Sequence, residues 1–301
     1  MARIGVLLNQ HAYDLDADAL SRLALSVEAL GYESVWLLDS FSRDPFLAAS
    51  FILGITTTLK VGTGIATVYS RDAMAATQAR ETLSEYYPGR FIMGLGASNE
   101  WIVGVRKGQW APPVQKMTAY LQDMDDAELA HAKPKEMAPL HIAAHAPGLQ
   151  KLAMKHGQGI FTWILPVENI RQARAFVGPD LEVTANFPVI LTEDPDEAHR
   201  VGRAFMTHYI PLAYYQAAYT KVGFGPEDFE QGGSDRLLDA IIAWGTPEMI
   251  KARAEEYAAA GASRIIINPI RAADHPPVGG ERDVNADWDA LRQTTNLLSL
   301  A

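Results

Sequence analysis

The stretch "GTPEMIKARAEEYAAAGASRIIIN", Gly245–Asn268, contains one complete helix-and-strand unit. Thr246 has the side-chain oxygen of a helix N-cap, Pro247 suits the first helical position, and Glu248 falls in the first turn. Gly261 is expected to end the helix, because glycine readily adopts the left-handed conformation found there. The apolar run that follows predicts a buried strand.

The same alternation of short apolar runs and amphipathic helical patterns extends along the rest of the chain. Strands are predicted at Arg3–Leu8, Ser34–Leu38, Lys60–Ile65, Phe91–Gly96, Leu140–Ala144, Gly159–Ile164, Glu182–Leu191 and the "RIIIN" run that starts at Arg264. These strands are too apolar to have a solvated face, which indicates a parallel sheet covered by helices. Eight such units in 301 residues predict a single (β/α)8 TIM barrel of the α/β class. A doubly wound open sheet is the alternative.

The least regular part of the chain is Ala204–Trp244, which contains several aromatic residues and the stretch "FGPEDFEQGGSDR". We interpret it as an insertion before the last βα unit. In a barrel, segments that follow a strand belong to the face where active sites lie. The insertion is therefore expected near the site.

Composition and charge exclude several classes of function. The net charge of −10 argues against a nucleic-acid partner or an anionic membrane surface, both of which attract basic patches. The chain has no cysteine, so disulfides, thiolate catalysis and cysteine-ligated metals are excluded. No apolar stretch approaches the length of a membrane span, and the first residues lack a signal-peptide pattern. We expect one domain over residues 1–301 and a cytoplasmic location.

Polar residues at the carboxyl ends of the predicted strands are the candidates for chemistry. They are mostly amides, hydroxyls and small residues: Asn9, Gln10, His11, Asp39, Ser40, Ser98, Asn99, Glu100, His145, Thr162, Trp163 and Asn268. The histidines are scattered and show no metal-binding spacing, so no metal site is predicted. The chain also lacks a nucleophile elbow and a phosphate-binding P-loop. A ring of neutral groups suits an organic cofactor that supplies the reactivity itself.

Several motifs together resemble those of the bacterial luciferase-like superfamily. The central one is "KVGTGIATVYSRDAMAATQARETLSEYYPGRFIMGLGAS", Lys60–Ser98, with a glycine-rich third strand, an arginine and "GRFIMGLG" on the fourth strand. The stretches "WLLDS", "PLHIAAHAPGLQKLA" and the last βα unit are similar to others of the superfamily in the same order. The resemblance implies a TIM barrel that binds FMN or the deazaflavin F420. Within the superfamily, "GTGIATVYSR" is most similar to the F420-dependent reductases related to methylenetetrahydromethanopterin reductase.

The resemblance also implies how the third strand ends. In the F420-dependent group it ends in a bulge with a cis peptide bond between residues other than proline, and this bulge supports the deazaflavin ring. The matching bond is Gly64–Ile65, followed by Ala66, and all three residues are expected to contact the cofactor. The alternative is a bulge that only closes the barrel.

Further site residues follow from the same resemblance. Asp39 and Glu100 are the expected catalytic groups. The loop that binds the cofactor phosphate through backbone N–H groups matches His145, Ala146 and Gly148, at a helix N-terminus. The remaining cofactor contacts are expected at Ser40, Ser98, Thr162 and Trp163. For Trp163 a place in the core is the alternative.

The sequence departs from the related reductases at two places. Methylenetetrahydromethanopterin reductases have a glutamate on the first strand, where this chain has Leu7, or Leu8 after a shift of one residue. Ser40 replaces a histidine that follows the aspartate in many F420 enzymes. We therefore expect little activity on methylenetetrahydromethanopterin. Candidates for substrate protonation are Gln10, His11, Asp39 and Glu100.

The sequence predicts an F420-dependent oxidoreductase that transfers a hydride between the deazaflavin and an unidentified small organic substrate. An FMN-dependent luciferase-like monooxygenase is one alternative, and a non-catalytic barrel that has lost the activity is another. The expected partners are a small-molecule substrate and a second copy in a homodimer, with no nucleic acid and no membrane.

Overall fold

Parallel strands alternate with helices along the chain in a computed structural model that describes residues 3–8, 15–39 and 43–270. The strands are β1 Arg3–Leu8, β2 Ser34–Leu37, β3 Lys60–Thr63, β4 Ala66–Thr67, β5 Phe91–Gly96, β6 Leu140–Ala143, β7 Gly159–Trp163, β8 Glu182–Ile190, β9 Ala243–Trp244 and β10 Arg264–Pro269. The α-helices are α1 Ala17–Ala29, α2 Pro45–Ile55, α3 Ala73–Tyr86, α4 Glu100–Val105, α5 Pro113–Asp125, α6 Pro147–His156, α7 Val167–Val177, α8 Pro195–Met206, α9 Ala213–Thr220, α10 Asp235–Ile241 and α11 Pro247–Ala259. A 3-10 helix spans Pro226–Gly232.

The strands close into a barrel. Its order is β1-β2-β3-β5-β6-β7-β8-β10, and β10 pairs in parallel both with β8 and with β1. The short strand β4 extends β3 and pairs with β5, and β9 pairs with the end of β8. A closed ring of eight parallel strands confirms the predicted TIM barrel and excludes the doubly wound open sheet, which would leave two free edges.

The last βα unit forms as its sequence predicts. The Thr246 side chain accepts a hydrogen bond from the Met249 N–H, and Gly261 follows α11 with a φ of 106°. The apolar residues Ile265 and Ile267 of β10 are buried in the layer between barrel and helices. The capping residues thus end α11 shortly before β10 begins.

The predicted insertion is also present. Between α8 and α11 the chain forms α9, the 3-10 helix, α10 and β9. The Tyr219 hydroxyl of α9 donates to the Ile164 carbonyl at 2.9 Å, just beyond the end of β7. The insertion therefore lies at the carboxyl-end face of the barrel. No helix in the described part of the chain is both long and apolar enough to cross a membrane.

A charged network fills the amino end of the barrel interior. Arg264 lies between Glu182, at 2.9 Å, and Glu33, at 3.1 Å. Burial alone would raise the pKa of Glu182, but its contacts with His141 and Arg264 outweigh burial and lower that pKa. His141 on strand β6 is fully buried, and burial lowers its pKa.

Above this network the interior is apolar. A floor is formed by Leu7, Trp36, Ile92, Phe161 and Ile266, with Leu38, Ile65 and Trp163 packed against it. Side chains alternate between the interior and the helix layer along each strand, so the next inward positions on these strands lie at the carboxyl-end mouth. The site is expected on this apolar floor.

Candidate cofactor and substrate site

The third strand ends in the predicted bulge. Strand β3 stops at Thr63, β4 begins at Ala66, and the Gly64–Ile65 peptide bond between them is cis. The Gly64 N–H donates to the Leu37 carbonyl at 2.8 Å, and the Asp39 N–H donates to the Ile65 carbonyl at 3.2 Å. The bulge is thus hydrogen-bonded on both sides of the cis bond to the end of β2.

Glycine is required here because the interior is crowded. A Cβ atom on Gly64 would lie 3.0 Å from the Phe161 ring, and one on Gly96 would lie 2.8 Å from the Ile65 side chain and 3.0 Å from the Ala143 Cβ. The bulge, Gly96 and Ala143 therefore pack closely at one side of the mouth. They form an apolar surface of small residues and the Ile65 side chain, which suits a flat ring.

Asp39 lies at the end of β2, and its buried carboxylate accepts several hydrogen bonds. Its Oδ2 accepts from the Ser70 hydroxyl at 2.6 Å and from the Thr67 N–H at 3.1 Å. Its Oδ1 accepts from Arg106 Nη2 at 2.8 Å, and Arg71 Nη1 lies 3.6 Å from Oδ2. Both carboxylate oxygens are engaged with protein groups around the bulge. The role of Asp39 in proton transfer stays a prediction.

The segment after β5 carries Ser98 and Glu100. Ser98 has a φ of 58°, which turns the chain sharply out of the strand. Asn99 then caps α4, with its Oδ1 accepting from the Ile102 N–H at 3.0 Å. Glu100 begins the helix and is exposed to solvent. The two predicted catalytic carboxylates thus differ in environment. That of Asp39 is buried and paired, and that of Glu100 is exposed to solvent.

His145 joins two neighbouring strand ends. Its Nε2 accepts the backbone N–H of Trp163 at 3.1 Å, and its ring lies 5.2 Å from that of Tyr215 and 6.0 Å from that of Tyr214. Although part of the residue reaches solvent, burial among these rings lowers the pKa of His145 to about 4. The imidazole is therefore neutral at pH 7 and holds the β6–α6 loop against β7.

The N-terminus of α6 has no side-chain cap. Its N-cap residue is Ala146, whereas aspartates cap α1, α2 and α3 with their side chains. Pro147 has no N–H, and the Leu149 and Gln150 N–H groups both donate to the Ala146 carbonyl at 3.1 Å, which leaves the Gly148 N–H as the first-turn donor without an intrahelical acceptor. The loop predicted to bind phosphate thus presents the Gly148 N–H at the positive dipole end of a helix that has no side-chain cap.

The two β7 residues point in opposite directions. The Thr162 hydroxyl donates to the Thr184 carbonyl at 3.2 Å, and alternation along the strand turns Thr162 toward the helices. Trp163 faces the mouth and packs on Phe161 and Tyr209. Its Nε1 is buried and has no hydrogen-bond partner among the described residues. Trp163 therefore lines the mouth of the barrel, and its indole N–H is an unpaired donor.

Two asparagines complete the mouth, and one of them was missed by the sequence predictions. Asn186 on β8 and Asn268 at the end of β10 are buried, and both have side-chain atoms without a partner in the described structure. Asn268 was noted as a strand-end residue, but Asn186 was not. The available signal was the polar side chain in the middle of "EVTANFPVI", at a position that alternation turns inward.

Some predicted residues lie outside the part of the chain that is described. Ser40 and the protonation candidates Gln10 and His11 lie outside the described ranges. Within residues 3–8, 15–39 and 43–270, no group of three or more His, Asp or Glu side chains is placed to hold a metal ion.

Comparison with known proteins agrees with this fold. The luciferase-like monooxygenase family model matches residues 1–264, and the chain belongs to this family. A 5,10-methylenetetrahydromethanopterin reductase of Methanolobus tindarius is 24% identical over 292 residues, which cover 82% of this chain and 89% of that protein. The predicted superfamily is thus confirmed.

Two solved structures share the whole fold. An F420-dependent secondary alcohol dehydrogenase in complex with an F420-acetone adduct has a TM-score of 0.75 at 16% identity, covering 98% of both chains. The oxygenating constituent of 3,6-diketocamphane monooxygenase of Pseudomonas putida, in complex with FMN, has a TM-score of 0.68 at 14% identity, covering 99% of this chain and 97% of that one. The cofactors in these names are the two that the sequence predicts, F420 and FMN.

Proposed function

We propose that this protein is an F420-dependent oxidoreductase that moves a hydride between the deazaflavin and a small organic substrate. The observation that carries the proposal is the composition of the barrel mouth. An apolar bulge on one side faces buried, unpaired neutral polar groups on the other, above an apolar floor. Such a site suits an organic cofactor lying on the bulge with its substrate against the polar groups, and supplies no nucleophile of its own.

The residues present fit a deazaflavin. Gly64, Ile65 and Ala66, with Gly96 opposite Ala143, offer a flat surface for the ring. The uncapped N-terminus of α6, at Ala146 and Gly148, offers N–H donors for a phosphate. Trp163 would close the side of the pocket and Ser98 would line its edge. When bound, F420 supplies a ring that accepts and donates hydride.

The chain's own contribution is orientation and the exclusion of water. Asp39 holds the bulge in place through Ser70, Thr67 and Arg106. His145, kept neutral by burial, holds the phosphate loop against β7. Glu100 is exposed at the mouth, where it can exchange protons with solvent, and we assign it the proton transfer to and from the substrate.

An FMN-dependent monooxygenase is the second candidate, because the family model is that of luciferase-like monooxygenases and a fold neighbour binds FMN. The same cleft accommodates either ring, since the bulge offers no charged group that distinguishes them.

Titration separates these functions. Purified protein is mixed with F420 and, in parallel, with FMN, and binding is followed by quenching of cofactor fluorescence. We expect F420 to bind more tightly than FMN. Tighter FMN binding would support the monooxygenase, and binding of neither cofactor at micromolar concentrations would contradict the proposal and support a non-catalytic barrel.

A further inference from the structure

Unpaired polar atoms gather on three adjacent strands of the barrel. They are Nε1 of Trp163 on β7, Oδ1 of Asn186 on β8, and both Oδ1 and Nδ2 of Asn268 on β10. Asn186 is 1% exposed and Asn268 is fully buried. Buried polar groups in native proteins nearly always have a partner, because an unmet hydrogen bond is costly. Four of the eight unpaired buried side-chain atoms in the described residues thus lie on neighbouring strands, and this clustering indicates a missing ligand.

The three residues share one face and one level of the barrel. Trp163 and Asn186 are direct partners in the β7–β8 register, and Asn186 pairs with Ile266, two residues before Asn268. The other amide atom of Asn186, Nδ2, donates to the Ile266 carbonyl at 3.1 Å, which fixes its Oδ1 as the free acceptor. Neighbouring strands lie about 4.8 Å apart, so one small ligand can reach all three residues.

This polar group lies across the barrel from the Gly64–Ile65 bulge. In the closed order of eight strands, β8 is four positions from β3 in both directions. Trp163 and Ile65 both pack on the same apolar floor, so the polar group and the bulge occupy the same level. A ring lying on the bulge would leave its open face toward Asn186 and Asn268.

The donors and acceptors in this group carry no charge. Asn268 can donate and accept, Trp163 can only donate, and Asn186 offers an acceptor. The charged residue that faces inward on β10 is Arg264, four residues nearer the amino end of the barrel and already paired with Glu33 and Glu182. An ionic ligand group buried against these neutral atoms would find no counter-charge among the three residues, which is unfavourable.

We propose that Asn268, Asn186 and Trp163 Nε1 bind an uncharged oxygen function of the substrate, a carbonyl or a hydroxyl, and so restrict the enzyme to neutral substrates at this position. The assignment rests on the proposed oxidoreductase function. An amide pair suits both members of a carbonyl–alcohol couple, because Asn268 Nδ2 and Trp163 Nε1 donate to a carbonyl oxygen, while an amide oxygen accepts from a hydroxyl.

The test uses small probes on protein with and without F420. Acetamide is neutral and offers a carbonyl, while acetate has nearly the same shape and carries a charge. The indole N–H resonance of Trp163, assigned with Trp163→Phe, reports binding in protein labelled with nitrogen-15. We expect acetamide to move this resonance and acetate at the same concentration to leave it in place. An equal response to both probes, or none to molar acetamide, would overturn the proposal.

Asn268→Leu is the decisive variant, because leucine fills a similar volume without polar atoms. It removes two unpaired atoms, so we expect the Tm to rise by roughly 2–4 °C while the affinity for acetamide falls at least tenfold. A lower Tm would mean that Asn268 has a structural role and would contradict the assignment. Asn169→Leu is the control, since Asn169 is also buried and also has an unpaired Oδ1, but lies on α7 rather than on a barrel strand, with its Nδ2 donating to the Ala218 carbonyl on α9. We expect Asn169→Leu to have a lower Tm than wild type and an unchanged affinity for acetamide.

Cofactor binding separates the two proposals. If F420 fails to bind the wild-type protein, the proposed function fails, whereas the acetamide experiment on cofactor-free protein still decides the role of the polar group. If F420 binds and Asn268→Leu weakens it tenfold or more, the polar group holds the cofactor edge, and the substrate assignment is overturned. We expect the F420 affinity of this variant to stay within about twofold of wild type.

Discussion

Arg106 Nη2 lies 2.8 Å from Asp39 Oδ1 and so joins the end of α4 to the end of β2. The second oxygen of Asp39 binds Ser70 and the Thr67 N–H on the far side of the bulge. One buried carboxylate thereby fixes three segments that surround the proposed ring position.

Asp39→Asn tests whether this carboxylate positions the bulge. The substitution leaves Arg106 and Arg71 without their shared negative partner, so we expect a loss of about 1–3 kcal/mol in the free energy of unfolding. F420 affinity should fall together with stability, because the bulge is less well held. Glu100→Gln is the matched carboxylate control, and its exposed side chain should change stability by less than about 0.5 kcal/mol. Denaturant unfolding and F420 titration give both values. Unchanged F420 affinity in Asp39→Asn, with a loss of turnover alone, would assign Asp39 to proton transfer instead.

Ala146→Pro tests the phosphate loop. Ala146 has a φ of −137°, which proline cannot adopt, and the substitution also removes a backbone N–H at the helix N-terminus. We expect the Kd for F420 and for FMN to rise at least tenfold. Ala146→Gly keeps the N–H and serves as the control, with a Kd within about threefold of wild type. If the proline variant titrates like wild type, the phosphate binds elsewhere.

Gly96→Ala tests the close packing beside the bulge. The new methyl group would lie 2.8 Å from the Ile65 side chain, and overpacking of this kind costs about 1–3 kcal/mol. We expect lower stability and weaker F420 binding as Ile65 is displaced. Gly104→Ala is the control, because no described atom lies within 4 Å of a Cβ at that helical position. That variant should keep or slightly increase stability, since alanine favours helix over glycine. Equal effects at both positions would contradict the packing account.

His145 makes stability depend on pH. Burial lowers its pKa to about 4, below the value of 6.5 expected in the unfolded chain. The unfolded state therefore binds the proton first, and stability should decrease as pH falls from about 6.5 to about 4, by at most about 3 kcal/mol. His141 contributes in the same direction, because burial also lowers its pKa. His145→Gln keeps an acceptor for the Trp163 N–H and should reduce, without abolishing, the pH slope of denaturant unfolding. An unchanged slope would show that His145 is not buried in solution.

Leu7 argues against reduction of methylenetetrahydromethanopterin, although a relative bears that name. The side chain is 2% exposed and forms part of the apolar floor, so it cannot donate a proton. General acid catalysis typically contributes about 10²–10⁴-fold in rate. We expect little or no turnover in a steady-state assay with reduced F420 and methylenetetrahydromethanopterin. Turnover near ~10 per second would contradict this and would point to Glu100 or Asp39 as the acid. Leu7→Glu should destabilise the barrel, because its carboxylate would be buried beside Trp36 and Ile266.

The single domain over 1–301, the homodimer and the cytoplasmic location stay predictions. Size-exclusion chromatography with light scattering measures the mass in solution, and we expect twice the chain mass of 32.9 kDa. A mass near that of one chain would contradict the homodimer.

The sequence by itself determined the elements and their order. Capping residues, helix-ending glycines and apolar runs act within a few residues, so Thr246, Gly261 and the strand at Arg264 could be placed without any distant contact. The bulge at Gly64–Ile65 was predicted instead from the resemblance of its motif to that of the F420-dependent reductases. Eight repeats of such a unit leave few arrangements besides a closed barrel.

Only the tertiary structure decided which strand-end residues form the site and in what state. Asp39 and Arg106 are 67 positions apart in sequence, and nothing local to either shows that they pair. In the sequence, Asn186 does not differ from an ordinary strand residue. Barrel closure places it beside Trp163 and Asn268, and its Oδ1 has no partner among the described residues. Whether a polar group is satisfied depends on atoms from distant strands, and the register that brings those strands together is fixed by packing of the whole barrel.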